Sequence, residues 1–188
     1  MFSEILKWYE EGDEDAVLAL NPEYTEMPDL PPNVKHLNIS NSNIEEISTD
    51  DIPPHLKSLD AKNSKLTIIE SLPASLTVLN IGNTYVKIIP ALPQNLEILV
   101  VTNCGIEHMP KMIHTKLNIL MCGYNFMEYM PELPDTLTML DCTGCAYLSV
   151  FQRLPTTLES FATDFTQYEL QIDQSFDDLN QTMKKVKL

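Results

Sequence analysis

Leu72-Pro73-Ala74-Ser75-Leu76-Thr77-Val78-Leu79-Asn80-Ile81-Gly82-Asn83-Thr84-Tyr85-Val86-Lys87-Ile88-Ile89 reads as one turn of a repeating unit, because Leu92-Pro93-Gln94-Asn95-Leu96 starts the same pattern again. In general form the unit is Leu-Pro-x-x-Leu-x-x-Leu-x-apolar-x-Asn-x-x-apolar-x-x-apolar. Taking the second leucine as position 0, that position falls at Val34, Leu56, Leu76, Leu96, Leu117, Leu137 and Leu158, in steps of 22, 20, 20, 21, 20 and 21 residues. A fixed period of about 20 residues means stacked turns of a solenoid, since one such unit cannot bury its own apolar face.

Each position has a physical reading. Leu76, Leu79 and Ile81 hold positions 0, 3 and 5, and the last two alternate as a short strand does, with both side chains directed inward. Val86 and Ile89, at positions 10 and 13, close the core from the other side. Asn41, Asn63, Asn83 and Asn103 recur at position 7, where the chain leaves the strand, and are expected to satisfy backbone groups in that turn. The prolines at 31, 53, 73, 93, 134 and 155 fix φ and remove a donor, which favours an extended back over a helix.

These steps fall within the leucine-rich-repeat range. The expected fold is an α/β-type leucine-rich-repeat solenoid: a curved parallel β-sheet of about seven short strands, an extended or 3-10 convex side, and helical caps. Residues 27–165 form the repeats. Residues 1–26 are read as a helical N-terminal cap, with one helix from Ser3 to Glu10, a break at Gly12, and a second helix begun by Asp13 and running through Leu20. Residues 166–188 are read as a C-terminal helix, acidic early and basic late. Regularity decays beyond repeat four, with Tyr124, Gly144 and Phe165 at the asparagine position, which predicts a looser last third.

On Leu-Pro-x-x-Leu-x-x-Leu over about residues 27–165, the chain resembles the short leucine-rich repeats of bacterial type III secreted effectors, which also start with Leu-Pro and carry an N-terminal helical hairpin. A weaker similarity, through Gly123-Tyr124-Asn125-Phe126, is to the FNIP-type repeats of amoebae and their large DNA viruses. Both resemblances imply an intracellular protein that engages another protein, in the host cytoplasm for an effector or a viral protein. Some of those effectors carry a ubiquitin-ligase domain with a catalytic Cys. Residues 166–188 contain no Cys, so that activity is not carried over.

Composition narrows the partner classes. Lys plus Arg is 12 against 27 Asp plus Glu, a formal net charge of −15 that opposes phosphate backbones and anionic lipid. No apolar run approaches the roughly 18 residues of a membrane span. The start, Met1-Phe2-Ser3-Glu4, lacks the basic n-region of a secretory signal, and four cysteines suit a reducing compartment. The expectation is an intracellular protein whose partner is neither nucleic acid nor membrane.

Residues capable of chemistry do not assemble into a reaction centre. Cys142-x-x-Cys145 lacks a second ligand pair, and Cys122 and Cys142 share inward position 5, so a zinc site of Cys122, Cys142, Cys145 and His114 yields to buried apolar cysteines. His36, His55, His108 and His114 occupy unrelated positions. Asp60 and Asp141 share position 4 but lie four turns apart, roughly 19 Å at the strand spacing. The reading is no enzyme, no cofactor and no metal.

The outward strand positions, 2 and 4, are more informative. Repeats three to six place Val78, Ile98, Val100, Ile119, Met121 and Met139 side by side on the concave face, flanked by polar rows that include Asp60, Lys62 and Asp141. An apolar patch with a polar rim on a water-exposed face marks a contact site. The expected function is a scaffold that holds a protein partner there, with Asp60, Lys62 and Asp141 setting orientation. The alternatives are a homodimer through the same face and an adaptor that recruits a ligase.

Overall fold

The computed structural model describes residues 3–164 and the backbone of residues 171–172. In chain order the elements are α1 (Ser3–Glu11), β1 (Val17–Ala19), β2 (His36–Asn38), β3 (Glu46–Ile47), a 3-10 turn at Thr49–Asp51, β4 (Ser58–Asp60), β5 (Ile68–Ile69), β6 (Val78–Asn80), β7 (Ile98–Val100), β8 (Ile119–Met121), β9 (Tyr129–Met130), β10 (Met139–Asp141), β11 (Val150–Phe151), β12 (Ser160–Ala162) and β13 (Gln171–Ile172). The fold is a parallel β-solenoid of leucine-rich-repeat type. Its long sheet runs β1-β2-β4-β6-β7-β8-β10-β12, every pair parallel. Shorter sheets, β3-β5 and β9-β11-β13, form on the opposite side.

Every expected strand lies at positions 2 to 4 of its repeat, and the centre of each faces inward. Leu59, Leu79, Leu99, Leu120 and Leu140 stack at position 3, each at most 1% exposed. Position 0 is closed throughout, from Val34 to Leu158, and so are Ile39, Ala61, Ile81, Val101, Cys122 and Cys142 at position 5. The ladder continues past each strand: the Ile81 N–H donates to the Val100 carbonyl at 2.9 Å and the Asn83 N–H to that of Thr102 at 2.8 Å. Register holds without a break to Ala162, so loss of the consensus in later repeats does not loosen the strand stack.

The prolines begin turns. The N–H at position 0 donates to the proline carbonyl three residues earlier, as in Leu76 to Pro73 at 3.0 Å and Leu96 to Pro93 at 3.1 Å. Repeat five has no proline there, and the hydroxyl of Thr115 accepts from the Leu117 N–H instead at 3.3 Å.

The role expected of the position-7 asparagines is corrected. Asn41, Asn63, Asn83 and Asn103 have φ between 55° and 60°, in the left-handed region that asparagine tolerates better than other side chains. They are exposed and bond to one another: the Asn63 amide donates to Asn41 at 3.3 Å, Asn83 to Asn63 at 2.9 Å, and Asn103 to Asn83 at 3.0 Å. The backbone groups of the turn are met one residue later. At position 8 the buried hydroxyls of Ser64 and Thr84 donate to the carbonyls of Ala61 and Ile81. Asn125 does most there: its amide nitrogen donates to the carbonyls of Val101, Cys122 and Gly123, and its oxygen accepts from the N–H groups of Cys104 and Ile106. Gly123 is required beside it, because a Cβ there would meet the Thr143 carbonyl at 2.6 Å.

The second N-terminal helix is also corrected. Residues 17–19 are strand β1, an extra rung in register with β2 through Val17↔His36, Leu18↔Leu37 and Ala19↔Asn38. The pattern has period two: Leu18 and Leu20 are buried while Val17 and Ala19 are exposed. Pairing with the open edge of β2 satisfies that backbone, which an isolated helix of this length would not do as well. Helix α1 covers this rung with Ile5 and Trp8, and the Trp8 indole donates to the Ala16 carbonyl at 3.1 Å. Of the C-terminal helix expected over 166–188, residues 171–172 are instead strand β13, which extends the back sheet in parallel through Val150↔Gln171 and Phe151↔Ile172; the rest lies outside the described residues.

Asn83→Ala is expected to cost about 1–2 kcal/mol, the penalty of left-handed backbone for an ordinary side chain, and Asn83→Gly less. Asn125→Ala, which strands five buried partners, is expected to cost roughly 3 kcal/mol or more. Urea unfolding checks the order; an Asn83→Gly as damaging as Asn83→Ala would mean that the amide ladder, not the backbone angle, governs the turn.

Candidate functional site

The outward face of the long sheet gathers the residues expected there. Register aligns Val78↔Ile98↔Ile119↔Met139 in one row and Val100↔Met121 in the next. Adjacent strands are about 4.8 Å apart, so these side chains touch along the row. Five of the six are partly buried by their neighbours, and Met139 is 39% exposed. The row begins beside Ser58 and ends beside Ser160, and the Ser58 hydroxyl bonds His36 at 2.8 Å.

Position 4 shows why the centre of this face differs from its ends. In four repeats its side chain closes a tight turn by accepting from the N–H two residues on: Asn38 from Ser40, Asp60 from Lys62, Asn80 from Gly82 and Asp141 from Thr143, at 2.9 to 3.2 Å. Val100 and Met121 cannot make this bond. Repeats four and five thus give up a local stabilising contact for apolar surface turned to water. Asp141 sits directly beside Met121. Asp60 and Lys62 lie farther out, separated from Val100 by Asn80, and the two form a 3.6 Å ion pair.

More exposed apolar surface lies on the flank that includes the back strands β5 and β9, away from the outward sheet face. Ile88 is 84% exposed, Tyr147 63% and Phe126 56%, with Tyr85, Ile68 and Tyr129 nearby in sequence position. Tyr85 and Phe126 hold position 9, and Ile68, Ile88 and Tyr129 hold position 12, adjacent to core positions 10 and 13, while Tyr147 holds position 10 itself.

The cysteines are all buried and unpaired. Desolvation raises every thiol, Cys142 to about 12 and Cys122 well above its ordinary value. Cys104 donates to the Ile81 carbonyl at 3.0 Å and Cys145 to that of Cys122 at 3.3 Å. They act as small apolar residues with weak donors, and a protonated thiol is a poor nucleophile or metal ligand. His114 bonds the Leu92 carbonyl at 2.9 Å, and no group of three or more His, Cys, Asp or Glu among the described residues is placed to hold a metal ion. No helix among the described residues is long and apolar enough to cross a membrane.

No protein-family model matches the sequence, and no curated protein matches it. Solved structures do. The chain is similar to YopM from Yersinia enterocolitica WA-314, at 21% identity and a TM-score of 0.54, over 80% of this chain and 39% of that one. It is similar to YopM of Yersinia pestis, described as a leucine-rich effector protein, at 27% identity and a TM-score of 0.50, over 67% of this chain and 42% of that one. It is similar to the leucine-rich-repeat domain of a Shigella effector, at 18% identity and a TM-score of 0.53, over 88% of this chain and 76% of that one. The chain therefore has the fold of bacterial leucine-rich-repeat effectors, and it spans about two fifths of the length of the YopM chains it matches.

A thiol kept protonated in the fold but free to ionise in the unfolded chain makes the unfolded state lose protons first. Stability is then full below about pH 8.5 and falls as pH rises towards about 12. Urea midpoints measured at successive alkaline pH values are expected to decline, and Cys142→Ala is expected to flatten the decline; an unchanged slope would show that Cys142 ionises equally in both states.

Proposed function

We propose that this chain is a non-catalytic scaffold that binds a protein partner on the outward face of its long sheet. The observation that carries this reading is the loss of the position-4 turn bond at Val100 and Met121 in favour of apolar surface continuous with Val78, Ile98, Ile119 and Met139. Partly buried apolar side chains in a rigid row give a partner contact area with little ordering cost. Asp141, beside Met121, orients the partner at one rim. Asp60 and Lys62 do so at the other.

Other features support the reading. The net charge of −15 disfavours nucleic acid and anionic membrane, and disfavours pairing with a second copy. The fold is shared with proteins described as effectors. Four unpaired buried thiols suit an intracellular setting, the host cytoplasm if the chain acts as an effector.

Immobilised wild type and an Ile98→Glu/Ile119→Glu variant, each checked for native unfolding, are to be compared in capture from eukaryotic lysate read by quantitative mass spectrometry. A protein retained by the wild type and reduced at least about tenfold by two buried like charges supports the site. Equal retention by both overturns it, and light scattering that gives a dimer mass for the wild type alone moves the face to self-association.

A further inference from the structure

The flank of repeats four to six carries a second recognition surface, independent of the outward sheet face. A cleft of about 530 Å³ is lined there by Glu107, His108, Phe126, Glu128 and Tyr147. Two ring pairs border it: Phe126 and Tyr147 have centroids 6.3 Å apart at 60°, and His108 and Tyr129 have centroids 6.2 Å apart at 38°. Glu128 lies in the chain between Phe126 and Tyr129, and Glu107 directly precedes His108. Carboxylates and aromatic faces thus share one shallow opening. Among the described residues neither Glu107 nor Glu128 has an ion-pair partner.

The core does not require this arrangement. Position 10 is a buried apolar residue in repeats one to five, namely Ile44, Leu66, Val86, Ile106 and Met127. In repeat six Leu148, one residue later, fills the core, and Tyr147 at position 10 is turned out beside Phe126. Gly105 at position 9 of repeat four leaves the floor low. A Cβ at 105 would lie 3.9 Å from both Phe126 Cε2 and Lys87 Cε, so the glycine sits beside the Phe126 ring and the Lys87 side chain without filling the space next to either.

The chemistry selects one kind of occupant. A second copy of a chain with net charge −15 would bring more carboxylates to Glu107 and Glu128, and an apolar partner would desolvate both without compensation. A cation satisfies both features, since its charge meets the carboxylates while its face or stem lies on the rings. Of the two basic side chains, arginine fits better: its guanidinium is planar, stacks on aromatic faces, and offers paired donors to a carboxylate. We propose that this cleft binds an arginine side chain presented by a basic segment of a partner protein.

The probe is a fluorescently labelled, end-capped tetra-arginine peptide titrated into the full chain at about 0.15 M salt, where long-range attraction is screened. Phe126→Ala/Tyr147→Ala is expected to weaken binding about tenfold, and Phe126→Leu/Tyr147→Leu nearly as much, because apolar area without a ring does not attract a cation. Glu107→Gln/Glu128→Gln is expected to weaken it to a similar degree. Glu23→Gln/Glu26→Gln, which removes the same charge at the distant N-terminal end, is expected to change it less than about twofold. All three residue pairs are exposed, and each of the four variants is first shown to unfold like the wild type in urea. Equal losses from both glutamate pairs would reduce the effect to overall charge and overturn the proposal. So would wild-type affinity in the alanine or leucine ring variants, or a wild type that leaves the peptide unbound.

Discussion

The buried leucines at the strand centres are covered above and below by the same position of the neighbouring turns. This stacking of like on like is the constraint from which the rest follows. A turn of about 20 residues has only three residues of strand on its front, so no turn has an interior of its own. Leu79 is buried because Leu59 and Leu99 flank it in register, and the same holds at positions 0 and 5. The backbone obeys an equivalent rule, since N–H groups at the start of each strand bond to carbonyls of the turn before and those past its end to carbonyls of the turn after. A solenoid built this way tolerates any residue outside the stacked rows, and its surface is free to specialise.

Two surfaces use that freedom differently. The outward face of the long sheet is regular, so side chains at positions 2 and 4 fall into straight rows, and a change from polar to apolar over four repeats produces a continuous stripe. The flank is shaped by irregularity: a glycine at 105, a left-handed tyrosine at 124 and a displaced residue at 147. Gly144 belongs to the same irregular region, since a Cβ there would lie 2.5 Å from the Tyr124 ring. Regular rows suit an extended partner surface, whereas the irregular flank forms a cleft of side-chain size.

This difference also explains what the sequence made legible. Periodicity exposes whatever repeats, so the seven strands, the inward rows and the outward apolar stripe could be read from spacing alone. It misreads what occurs once. Residues 17–20 looked helical because they stand outside the period and follow a helix, yet their alternation pairs them with β2; the edge of a sheet outweighs local propensity. The position-7 asparagines were read for their side-chain chemistry, when the backbone angle selects them. The buried hydrogen-bonding position beside them varies among Ser, Thr, Cys and Asn, and that variety hid its common role. Tyr85, Ile88, Phe126 and Tyr147 went unread because each neighbours a core position and seemed explained by it.

The amide ladder from Asn41 to Asn103 has a consequence for how such a chain changes length. Within repeats one to four each junction sets an Asn over an Asn at position 7 and a Leu over a Leu at position 3, with only small apolar exchanges in the other inward rows, so a whole turn can be duplicated or lost there and the cut ends still match closely. After Asn103 the junctions are individual: Asn125 reaches back to Val101, and Tyr124 covers Gly144. A turn inserted there would find no fitting neighbour. The first half of the molecule is therefore the part that can grow by copying, and the second half is the part whose order is fixed.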